Sequence, residues 1–255
     1  MRAARRAAIA GSWKLDIPIE EILSYTGTME IVHENNADWY IKLTSSGTLT
    51  LTKDVQVDAF LVGAGGGERK TNRNDGGFGG GGGGYIVLEK DIPLAAGDYP
   101  VTVGNEASSG FGITAAAGSL PFILDYDRGG PGGTYGGMGG KRWGGDGKAG
   151  WDGQYAFHES AYASLGYFGS SGGGGGAANT QRNTPGAGGA GGAGAGDGGN
   201  GGAYDIRPGG GQHATNYGCG GGGAGGQGVE PETGDDLCAV CGNGFQGIVM
   251  IRNKR

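Results

Sequence analysis

The chain has 255 residues, of which 66 are glycine and only 8 proline, against a typical glycine share of roughly 7%. Collagen, which needs a strict three-residue glycine period and far more proline, is excluded, and an ordinary side-chain core is disfavoured by a hydrophobic share of 36%. The formal net charge of −6 gives no general affinity for nucleic acid.

Glycine is distributed unevenly. Only Gly11, Gly27 and Gly47 precede residue 63. A conventional segment therefore leads into a glycine-rich one. At the start, Arg2, Arg5 and Arg6 form a basic, solvated terminus, and Ala7 to Ala10 is too short an apolar stretch for a signal peptide. No apolar run approaches the roughly 20 residues of a membrane span, and no Asn-x-Ser/Thr site occurs. Ile17 to Leu23 reads as a short helix or an arm, and residues 1–27 as a segment for assembly.

Strand signals follow. Thr28–His33 and Asp38–Leu43 alternate and are rich in β-formers, and Thr48–Thr52 is a strict period-two run. Val55–Val62 alternates and then becomes continuously apolar, as a buried strand does. Tyr85–Leu88, Tyr99–Val103, Leu120–Leu124 and Ile248–Ile251 are further strands. Short strands at both ends of the chain, with turn signals between them, predict a mainly β fold with little α-helix. The predicted arrangement is a jelly-roll-like sandwich over about 28–124 and 245–252, within one domain spanning 28–255.

The glycine runs form the second element, over about 63–244. They include Gly79–Gly84, Gly129–Gly140 with interruptions, Gly172–Gly176, Gly186–Gly202 with alanine, and Gly218–Gly228 with a few other residues. Segments with little glycine alternate with them: 68–75, 119–128, 151–168, 177–185, 204–208 and 229–240. An extended helix of three residues per turn makes no internal hydrogen bond. Without Cβ atoms such helices can lie at backbone contact distance and bond to one another, so that the core is made of backbone. This predicts an inserted polyglycine-II bundle with the connecting segments as loops at its ends.

Three block patterns carry a resemblance: Val57-Asp-Ala-Phe-Leu-Val-Gly-Ala-Gly-Gly-Gly67; Gly79–Gly84 running into Tyr85-Ile-Val-Leu88; and Leu94-Ala-Ala-Gly-Asp-Tyr-Pro-Val-Thr-Val-Gly104. Together they look like the glycine-rich domain of bacteriophage tail-fibre and tip-adhesin proteins. The runs Tyr217-Gly-Cys-Gly-Gly-Gly-Gly223 and Gly244-Phe-Gln-Gly-Ile-Val-Met-Ile-Arg252 are similar to the end of that domain. The resemblance covers roughly residues 40–255. The order of the blocks also resembles the glycine-rich extracellular region of the anaplastic lymphoma kinase receptor family, a jelly roll carrying an inserted polyglycine-II bundle. The resemblance implies a non-enzymatic virion protein whose bundle loops contact a bacterial surface glycan or protein. It also implies assembly with other fibre subunits, often as trimers, no cofactor, and neither nucleic acid nor membrane insertion. A purely structural virion or appendage protein is the alternative. The chain departs from both families in its long aromatic segment 151–168, and a receptor ectodomain would carry a signal peptide.

Candidate contact residues lie in the segments between the runs. Trp143, Trp151, Tyr155, Phe157, His158, Tyr162, Tyr167 and Phe168 crowd one stretch. Exposed rings there suit sugar faces and protein hot spots, while buried ones would pack the loop onto the bundle. Arg207, His213, Asn216 and Tyr217 form a second candidate tip. Arg69, Lys70, Arg73 and Asp75 read as a solvated loop. Cys238-Ala-Val-Cys241 has metal-ligand spacing, with Cys219 and His213 as further ligands, but one such pair is a weak signal beside unpaired thiols or a redox pair.

Enzyme motifs fail on their context. Gly63-Ala-Gly65 follows a strand, but no helix N-terminus follows to hold a pyrophosphate. Gly140-Lys141 is followed by Arg142 where a phosphate loop needs Ser or Thr. Gly191–Asp197 is not a tandem calcium repeat. Asp125 and Asp127 have no sequence reason to meet as a hydrolytic pair, and no placed partner makes a cysteine nucleophile.

Overall fold

The computed structural model describes residues 18–34, 38–67, 77–120, 144–179, 184–203, 206–229, 236–237 and 239–253. The chain begins there with a one-turn helix, α1 (Ile19–Ile22). Strands β1 (Leu23–Tyr25), β2 (Met29–His33), β3 (Trp39–Leu43), β4 (Gly47–Leu51) and β5 (Val55–Val62) follow, then β6 (Ile86–Leu94) and β7 (Gly97–Val101). The short strands β8 (Ser108–Gly110), β9 (Ile113–Ala115), β10 (Gly228–Val229) and β11 (Asp236–Leu237) precede β12 (Ile248–Arg252). The fold is mainly β, as the alternating sequence predicts.

One sheet has five antiparallel strands in the order β2-β3-β12-β5-β6, and a second has three in the order β1-β4-β7. β12, at the C-terminal end, pairs with β3 on one side and β5 on the other. The two sheets share one buried cluster: Ile41, Leu43, Ala59, Leu61, Val249 and Ile251 meet Leu23, Leu49, Leu51 and Val101. The described part of the segment read as a short helix or an arm joins it, because Ile19 and Ile22 of α1 are buried there and Leu23 opens β1, which pairs with β4.

The continuous apolar runs in β5 and β12 have a direct cause. Successive side chains of a strand point to opposite faces. Ala59, Leu61, Val249 and Ile251 enter the core between the sheets, whereas Phe60, Val62, Ile248 and Met250 pack on the other face with Ala156, Phe157, Tyr162 and Phe168. Both faces are covered, so neither position alternates to polar.

The glycine segments are tied together by backbone hydrogen bonds with a repeat of three. Along 171–177, N–H groups donate in rotation to three neighbouring segments. Ser171, Gly174 and Ala177 donate to the carbonyls of Trp151, Lys148 and Gly145; Gly172 and Gly175 to Gly81 and Phe78; Gly173 and Gly176 to Gly196 and Gly199. Three of these runs close a cycle. Gly196 and Gly199 donate to Gly220 and Gly223, and Gly223 and Gly226 donate back to Gly173 and Gly176. The spacing leaves no room for side chains: a Cβ on Gly173 would lie 2.0 Å from the Gly189 oxygen.

Alanine is buried in the runs at Ala177 and Ala224 but faces outward along 187–193. Ala187, Ala190 and Ala193 are exposed at every third position. Outward N–H groups of the same run are met by side chains. Asp146 Oδ1 accepts from Ala187 at 2.8 Å, Asp152 Oδ1 from Ala193 at 2.7 Å, Asn200 Oδ1 from Gly188 at 3.0 Å and Asp197 Oδ1 from Gly191 at 2.8 Å. These contacts satisfy backbone donors as side-chain caps do at a helix end.

Candidate functional site

The aromatic segment divides into a buried part and an exposed part. Gln154 and Phe168 exchange both backbone hydrogen bonds, at 3.0 and 2.8 Å, and so close a loop. Inside it, two 3₁₀ helices, Ala156–His158 and Ser160–Leu165, turn the chain over the five-stranded sheet. Phe157 and Tyr162 are 1% and 2% exposed. Phe157 packs against Phe60 and Tyr162, and Tyr162 meets Tyr40 edge-on. These two candidate contact residues serve packing. His158 is exposed with its ring edge-on to Phe60. Phe157 and His158 both have positive φ, 53° and 57°, which costs of order 1–3 kcal/mol per residue and persists only where surroundings impose it.

Arg252, at the end of β12, supplies that constraint. Its guanidinium bonds Glu159 bidentately, Nη2–Oε1 at 2.7 Å and Nη1–Oε2 at 2.8 Å. It also reaches Asp58 Oδ2 at 3.2 Å from Nε and contacts the Tyr162 hydroxyl at 3.4 Å. The Phe157 ring lies 4.4 Å from its central carbon. Burial pulls the Arg252 pKa down, but bonds to Glu159 and Tyr162 outweigh this and hold it above its ordinary value. Burial also pushes the Tyr162 hydroxyl up, opposed by Arg252. The group is a latch between sheet and loop.

The exposed part is different. Trp151 is 66% exposed and Tyr85 52% exposed. Both line one cleft of about 430 Å³, with Ile86, Asp152, Gln154 and the backbone of Gly83, Gly84, Gly153, Gly169 and Ser171. The Trp151 backbone is fixed from below. Its N–H donates to Ser171 Oγ at 2.7 Å and its carbonyl accepts from the Ser171 N–H at 2.9 Å, while the Gly153 N–H donates to Ser170 Oγ at 2.9 Å. Both serines are buried. Asp152 is held by its bond to the Ala193 N–H. The cleft thus has two aromatic walls, a fixed carboxylate and an amide, on a backbone anchored at Tyr85, Trp151, Gly153 and Gln154. A second cleft, about 460 Å³, is lined by glycines with Ala190, Asp197, Asn200 and Gln212, and offers no aromatic surface among the described residues.

None of the other described candidates lines the Trp151 cleft. Tyr155 and Tyr167 stack at 4.4 Å, and the hydrogen bond between their hydroxyls raises the Tyr167 pKa. Tyr217 meets Phe245 edge-on at 5.3 Å. His213 is exposed and its Nδ1 accepts from the Asn243 N–H at 2.9 Å. Arg207 is exposed. Cys219 is a buried thiol near the carbonyls of Tyr167 and Ala193, and burial raises its pKa. Cys241 is buried with Phe78, Ala224 and Ala239. Among the described residues no group of three or more His, Cys, Asp or Glu could hold a metal. Trp143, Cys238, Arg69, Lys70, Arg73, Asp75, Asp125 and Asp127 lie outside the described residues, as does all but Leu120 of the strand expected over Leu120–Leu124.

Sequence reasoning passes over Tyr85, Asp152, Gln154 and the Arg252 latch. Tyr85 is absorbed into a strand signal, because it begins the apolar run Tyr85–Leu88. Comparison with protein-family models, with curated proteins and with solved structures finds no match to this chain.

Proposed function

We propose that the chain is a non-enzymatic attachment protein of the bacteriophage tail-fibre type, binding a receptor on the bacterial surface. In this reading a jelly-roll-like β-sandwich carries an inserted polyglycine-II bundle. The three-residue rotation of donors along 171–177 supports the bundle, and the core shared by the two sheets supports the sandwich. The observation that carries the function is the pair Trp151 and Tyr85, exposed over one cleft on an anchored backbone. A rigid platform lowers the entropy cost of binding, and exposed aromatic anchors dominate recognition surfaces. The test is attachment of fluorescently labelled protein to a panel of bacterial strains. Attachment that falls at least tenfold in Trp151→Ala, with unchanged melting, supports the role. A folded wild-type protein that attaches to no strain, or a variant that attaches equally well, assigns the chain a scaffold role instead.

A further inference from the structure

The geometry points to a neutral saccharide as the occupant of the cleft between Tyr85 and Trp151, an inference that rests on the attachment role proposed above. The cleft, at about 430 Å³, lies within the range of small-molecule sites and has room for roughly one or two sugar rings. A pyranose has a face of C–H groups and a rim of hydroxyls. The Trp151 and Tyr85 rings are large, apolar and presented to solvent on fixed backbone, which suits stacking on the C–H face. The rim needs groups that accept and donate. Asp152, already holding the Ala193 N–H through Oδ1, keeps Oδ2 in a fixed position, and the Gln154 amide offers both a donor and an acceptor.

The remaining wall is glycine backbone. The N–H groups of Gly84, Gly153 and Gly169 are already bonded within the protein, so a hydroxyl meets this wall by donating to its C=O groups, with no side chain in the way, whereas a protein anchor needs a fully desolvated pocket ringed by contacts that exclude water. Charge selects further. Among the described residues, Asp152 is the one carboxylate in the lining, and no lysine, arginine or histidine joins it. A sugar acid would bring like charge to Asp152 with no cation among the described lining residues to offset it. Neutral and amino sugars are therefore favoured over uronic and sialic acids.

The test uses the full chain on an array of neutral, amino and acidic bacterial surface oligosaccharides, followed by calorimetric titration of the strongest neutral hit. The expected result is saturable binding that weakens at least tenfold in Trp151→Ala and in Tyr85→Ala, and not in Leu120→Ala, an exposed apolar site outside the cleft. Melting is followed for each variant by circular dichroism, and Trp151→Phe, which keeps a stacking face, is expected to retain most of the affinity. Preference for acidic sugars overturns the selectivity, and a hit insensitive to both aromatic variants overturns the site. No saccharide binding, with cell attachment still lost in Trp151→Ala, means that the cleft takes a protein; the saccharide inference then fails while the attachment role stands. No attachment to any strain removes the attachment role itself.

Discussion

Replacing Gly223 by alanine separates an ordered glycine lattice from a glycine-rich coil. A Cβ at Gly223 would lie 2.2 Å from the Phe78 carbonyl oxygen and 2.6 Å from that of Gly79. Both obstacles are backbone, so the run must move away by close to 1 Å. That displacement weakens the bond from the Gly223 N–H to Gly173, 2.8 Å, and the one its carbonyl accepts from Gly199, 2.9 Å. Each lost bond between buried groups costs about 1–3 kcal/mol. The lower entropy of the unfolded alanine chain returns about 0.4–1 kcal/mol. The net expectation is a loss of about 3 kcal/mol. Gly104 is the control, since a Cβ there meets nothing within 4 Å; Gly104→Ala should be neutral or stabilising by up to about 1 kcal/mol. Urea denaturation followed by circular dichroism and by tryptophan fluorescence reads both variants. Equal midpoints for Gly223→Ala, Gly104→Ala and the wild type would refute the lattice.

Breaking the Arg252 latch should be costly. Arg252→Ala leaves the buried Asp58 carboxylate without its cation, and the expected loss is about 3–5 kcal/mol. Glu159→Gln touches a half-exposed partner and should cost about 1 kcal/mol or less; similar losses for the two variants would contradict the role assigned to Asp58. Cys219, buried and with its pKa raised, should resist iodoacetamide at pH 8 in the folded protein and react on addition of denaturant. Alkylation of Cys219 at the rate of a free thiol in native buffer would show that the run around it opens.

The strands are readable because their signals are local. Val55–Val62 has the predicted bounds, and Ile248–Arg252 extends the prediction by one residue. β1 is not readable, because Leu23-Ser24-Tyr25 has no periodic run and is a strand only through its pairing with Leu49–Leu51. Among the glycine runs, Ala187, Ala190 and Ala193 mark a period of three that a search for periods of two or 3.6 overlooks. The site residues are half legible. Aromatic content singles out 151–168, but only burial separates Trp151 from Phe157 and Tyr162. The latch is hidden for a different reason, since Arg252 and Glu159 are far apart in sequence and meet only after the loop folds onto the sheet.

Amide hydrogen exchange across the glycine runs tests the ordered core most directly. The N–H groups of 171–176 and 220–223 are bonded between segments and buried. They should exchange as slowly as those of β5, with the exposed Ala190 among the faster positions. Exchange of 171–176 and 220–223 at the rate of an unstructured peptide, while β5 stays protected, would contradict a core built from glycine backbone.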